Sequence, residues 1–103
     1  MPIDKEKRKE HINFSKEILK LLENKSKLKL KRRVLKMVGN NPFIEISVKD
    51  WERDEIPNNI LKDICIKLNI IPSNWDYIGY GNISNKGITL YLNEWEKIKE
   101  VLK

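Results

Sequence analysis

Histidine and cysteine each occur once in the 103 residues, as His11 and Cys65, and alanine and glutamine do not occur at all. One cysteine excludes an internal disulfide, and with one histidine it leaves no usual zinc ligand set within a single chain. His11 lies in a charged helical stretch with no nucleophile or orienting carboxylate at a recognisable spacing, so it reads as a surface side chain. Glycine is scarce too. Gly79, Gly81 and Gly87 sit within or beside a hairpin and not between a strand and a helix, and no Gly-Lys-Ser/Thr follows, so there is no phosphate loop. Asp50, Glu52, Asp54 and Glu55 cluster in one turn without the strand-borne acid–lysine pattern of a magnesium nuclease and read as solvated. The expectation is a protein with no catalytic residues, no metal and no cofactor.

Long apolar runs are also missing. No stretch approaches the length that spans a bilayer, so no membrane partner is expected. The first eleven residues, Met-Pro-Ile followed by mostly charged positions, lack the apolar core of a signal peptide. A cytoplasmic protein is expected, with Cys65 a buried small hydrophobe on an apolar stripe. Apolar residues make up 40% and charged residues 35%, too apolar for disorder and enough for one domain with a modest core. The crowding of isoleucine, lysine and asparagine reflects A/T-rich codons, as in a virus, a plasmid or a low-GC microbe, and carries no chemistry.

What the chain does have is a concentrated positive segment. Residues 24–44 hold Lys25, Lys27, Lys29, Lys31, Arg32, Arg33 and Lys36 and no acid. The net charge is +6, so everything else together comes to about −1. One basic segment on an otherwise balanced chain points to a face that meets a polyanion, of which nucleic acid is the commonest soluble kind. An acidic protein surface would be met equally well.

Periodicity predicts an α+β domain over residues 1–103 in the order α-α-β-α-β-β-α, with a small, largely antiparallel sheet and helices on one face. The first helix is expected over 4–23, its charged opening frayed over 1–9. A second is expected over 27–38, with Leu30, Val34, Met37 and Val38 inward and Lys29, Arg32, Arg33 and Lys36 outward. The alternation from Lys27 to Lys31 also fits the start of a strand. Ile44, Ile46 and Val48 alternate with Glu45, Ser47 and Lys49 as in a half-buried strand. Pro57 and Asn58 open a third helix with Ile60, Leu61, Ile64, Cys65 and Leu68 inward, ending near Asn69. Strands over 75–83 and 87–92 follow, joined through Ser84, Asn85 and Lys86. Asn93, with Glu96 three residues on, then caps a terminal helix that turns Trp95 inward. An edge strand at 43–48 or 87–92 would allow a homodimer.

Aromatics are the remaining signal. On a strand over 75–83, Tyr77 lies on one side with Gly79 and Gly81, and Tyr80 on the other. Exposed aromatics near lysines are how sequence-tolerant proteins stack single-stranded bases. The run Lys86-Gly-Ile-Thr-Leu-Tyr-Leu-Asn-Glu-Trp95-Glu-Lys-Ile-Lys-Glu100 resembles the end of the positive-cofactor-four type of single-stranded-DNA-binding coactivators, and Phe43-Ile-Glu-Ile with Trp51 resembles an earlier strand and aromatic of that family. The resemblance covers about 15 residues without gaps and about 25 in all. It implies that Lys86 leads the last strand as a basic contact, that Trp51 faces nucleic acid and that Trp95 is structural. The family has strands where this chain's N-terminal third reads as helical, and no helix such as 60–68 between those strands. The hairpin tip 82–86 also resembles the wing of a winged-helix DNA-binding regulator, although the third helix offers only Lys62 and Lys67. The expected function is non-catalytic binding of single-stranded DNA or RNA. The alternative is a small viral or plasmid interaction protein that docks on a host complex as an inhibitor.

Overall fold

The apolar stripe of Phe14, Ile18 and Leu22 carries the first helix past its expected end, so that α1 spans Lys5–Ser26. Ile18 and Leu22 are fully buried, whereas every residue from 5 to 10 is exposed. Lys27 ends the helix in the left-handed region, with φ 63°, and its N–H donates to the Glu23 carbonyl at 2.8 Å. This computed structural model describes residues 5–35 and 41–103.

The next element is a strand. β1 (Leu30–Leu35) pairs antiparallel with β2 (Phe43–Val48), setting Leu30 against Val48, Arg32 against Ile46 and Val34 against Ile44. The predicted second helix is therefore corrected over its first half, and its Lys36 and Met37 lie outside the described residues. Residues 27–35 satisfy the helical and the alternating pattern about equally. Pairing with β2 decides between them, because Leu30 then completes a buried row with Val48.

The segment 75–83 is also not one strand. Only Gly79–Tyr80 (β3) and Ile83–Ser84 (β4) pair, through a two-residue turn at 81–82, and a second such turn leads to β5 (Gly87–Tyr91). Among the described residues the sheet has five antiparallel strands in the order β1-β2-β5-β4-β3, against three expected. Segments 43–48 and 87–91 are interior strands, so neither offers the free edge that the dimer expectation required. The edges are β1 and the very short β3.

α2 (Asn58–Lys67) follows Pro57 as expected and buries Ile60, Leu61, Ile64 and Cys65. Asn69, with φ 59°, ends it while the Ile70 N–H donates to the Cys65 carbonyl at 2.8 Å. Burial pushes the Cys65 thiol above its usual pKa. α3 (Leu92–Leu102) starts earlier than predicted. Glu94, not Glu96, closes its first turn, accepting from the Tyr91 N–H at 3.0 Å, while the Asn93 side chain accepts from Asn41 at 3.3 Å.

The three helices of the described residues pack on one face of the sheet. Leu30, Ile44, Ile46, Val48, Ile83, Ile88 and Leu90 meet Ile18 and Leu22 of α1, the buried stripe of α2, and Trp95, Ile98 and Leu102 of α3 in one cluster. The Trp95 Nε1–H donates to the Ile44 carbonyl at 3.1 Å, and Lys99 bridges α3 to Glu17 of α1 at 2.8 Å. Among the described residues, no helix is long and apolar enough to cross a membrane, and no three His, Cys, Asp or Glu side chains converge as metal ligands.

Candidate nucleic-acid interface

Side chains alternate across a strand, and directly opposed residues share a face. With the odd-numbered neighbours of Ile44, Ile46, Ile88 and Leu90 turned away from the helices, three rows cross the open face. Lys31, Ser47, Gly87 and Ser84 form one; Arg33, Glu45 and Thr89 the next; Leu35, Phe43 and Tyr91 the third. Rows are two residues apart, roughly 7 Å. Arg33 Nη2 stands 3.7 Å from Glu45 Oε2, and the Phe43 and Tyr91 rings stack with centroids 3.9 Å apart at 27°.

The strand splits the basic segment where a helix would have kept it on one side. Lys29, Lys31 and Arg33 are exposed, with Lys31 and Arg33 on the open face, while Arg32 turns to the helix side opposite Ile46 and is half-buried. Lys25 is exposed in the last turn of α1 and Lys27 at the turn after it. Lys36 lies outside the described residues.

Trp51 joins this face from a loop. Asp50 Oδ1 accepts from the N–H groups of Glu52 and Arg53, both at 3.2 Å, which curls the chain and leaves Trp51 63% exposed at the bend. The loop is held against the β4–β5 turn. Lys86 Nζ donates to the Asp54 carbonyl at 2.9 Å and lies 3.9 Å from Glu55, and the Ile56 N–H donates to the Asn85 carbonyl at 2.7 Å. Lys86 does lead the last strand, but with its side chain only 18% exposed it serves as a brace for the Trp51 loop. A shallow depression of about 360 Å³ lies between Lys31, Trp51 and the turn at Gly81 and Asn82, floored by Ser47 and Gly87. Gly87 is required there: a Cβ would sit 2.9 Å from that of Ser47 and 3.1 Å from the Ile46 carbonyl.

Tyr77 and Tyr80 are exposed but do not join this face. β3 is four strand spacings from β1, roughly 19 Å, and Tyr80 opposes Ile83, on the helix side. Tyr77 lines a separate depression with Glu55 and Asp76. Phe43, Glu45, Ser47, Thr89 and Tyr91 were not singled out from sequence. Their signal was the alternation itself, since inward Ile44, Ile46, Ile88 and Leu90 turn these neighbours outward.

Comparison with protein-family models, with curated proteins and with solved structures finds no match to this chain.

Proposed function

We propose that this is a non-catalytic nucleic-acid-binding protein that takes single-stranded DNA or RNA on the open face of its sheet. The observation that carries the reading is the juxtaposition of Lys31 and Arg33 with three aromatics, Phe43, Tyr91 and Trp51, on a face that no helix covers. Cations along one edge suit a phosphate backbone, and rings beside them suit unstacked bases. The resemblance to positive-cofactor-four type coactivators adds to this, because its two segments, β2 and β5 with α3, are neighbours in space. A cytoplasmic protein with a buried free thiol accords with this role.

Mobility shift against single-stranded DNA, duplex DNA and RNA tests the reading. Single strands are expected to bind at micromolar concentration or better at about 50 mM salt, with a log–log salt slope of roughly −2 to −4. No retardation of any nucleic acid overturns it. Trp51→Ala is expected to weaken single-strand binding by about 1–3 kcal/mol. Its thermal unfolding should stay within about 0.5 kcal/mol of the parent, because so exposed a ring contributes little packing.

A second reading, docking on another protein, draws on Ile66 and Ile71, which are 59% and 83% exposed and lie off the basic face. It expects Ile71→Ser to abolish partner binding while nucleic-acid affinity is unchanged.

A further inference from the structure

The central positions of the depression are small, and Ser47 among them is buried. Ser47 faces Gly87, and the close approach at Gly87 leaves no room for a Cβ. A planar ring lying on this floor meets backbone from below, Trp51 at one side and Lys31 at the strand edge. Its edge then faces the next row, where Glu45 stands opposite Thr89. Glu45 is one-third exposed, and its 3.7 Å separation from Arg33 is longer than a hydrogen bond, so its oxygens are open to a further donor.

Resting on the single-strand reading above, we propose that this depression holds one guanine of the bound strand, its N1–H and N2–H donating to the Glu45 carboxylate and its phosphate held by Lys31. An ionised carboxylate only accepts hydrogen bonds. Guanine alone among the bases sets two adjacent donors on its Watson–Crick edge. Adenine and cytosine place a ring-nitrogen lone pair beside their amino group, and thymine or uracil flanks one donor with two carbonyls. Each of those sets a lone pair against Glu45. Asn82, on the opposite rim, supplies an amide donor for the guanine O6.

The test uses labelled oligothymidylates of about eight nucleotides with one central guanine, adenine or cytosine, titrated with the full chain by fluorescence polarisation. The guanine strand is expected to bind about tenfold tighter than the others. Glu45→Gln is expected to bring all three within about twofold, and to raise affinity for the adenine and cytosine strands because a negative charge leaves the face. Uniform weakening by Glu45→Gln would mean a structural role and overturns the proposal. Equal affinity of the parent for all three strands overturns the guanine slot and leaves the single-strand reading standing, whereas no binding to any strand overturns both. Binding of free 5′-GMP as tightly as the guanine strand makes the depression a mononucleotide site and overturns the strand-borne assignment.

Discussion

Alanine at Lys29, Lys31 and Arg33 together is expected to weaken single-strand binding by roughly two orders of magnitude at about 50 mM salt and to flatten the log–log salt slope by about 2. Lys29 directly precedes the edge strand β1, and Lys31 and Arg33 lie on it, opposite Ser47 and Glu45 on the open face. Contacts to phosphate carry no base information, so the loss should be similar for all sequences. Arg32→Ala is the control. On a helix, Arg32 and Arg33 would share one wet side and count equally. On β1, Arg32 opposes Ile46 on the side of the sheet that the helices cover, so its removal should change affinity by no more than about twofold. It should instead cost some stability through the apolar stem it packs against the core. Comparable losses from Arg32→Ala and Arg33→Ala would place the binding face elsewhere.

Trp95→Ala is expected to be the most destabilising single change, by about 3–5 kcal/mol. The indole is fully buried where α3 crosses β2, and its N–H satisfies the Ile44 carbonyl at 3.1 Å. Truncation opens a cavity in the one cluster that every helix shares, and leaves that acceptor without its indole donor. For a chain this small, total stability is about 5–15 kcal/mol, so the melting temperature should fall by roughly 15–30 °C. Trp95→Phe keeps most of the volume and loses the hydrogen bond, and should cost about 1–2 kcal/mol. Denaturant or thermal melts followed by circular dichroism measure both. A small effect of Trp95→Ala would mean that the cluster does not depend on this crossing.

The contrast between Trp95 and Trp51 shows how far residue order can be read. Trp95 sits at the inward position of a helix whose apolar spacing is unambiguous, so its burial was legible. Trp51 follows a strand and opens an acidic turn, and nothing local says which surface it reaches. Its place is set by Asp50, which curls the loop, and by Lys86, which ties that loop to a turn more than thirty residues away in sequence. For the same reason residue order offers Lys86 only as a basic position leading the last strand. Its engagement with Asp54 and Glu55 is a long-range contact that composition does not carry.

Helix α2 with its Pro57 start and Asn69 stop, the inward stripe of α3, the alternation of β2, the mixed α+β character and the concentration of positive charge were all determined by the sequence alone. Each depends on residues within one or two turns of one another. The tertiary structure decided the rest. Residues 30–35 became a strand because Leu30 and Val34 found Val48 and Ile44 across the sheet, and that pairing turned Lys31 and Arg33 to one face and Arg32 to the other. The helices all gathered on one side, leaving Phe43, Glu45, Ser47, Thr89 and Tyr91 on an open face with Trp51 beside it. A period-two pattern says which residues share a face. Only the packing of distant segments says which face is covered.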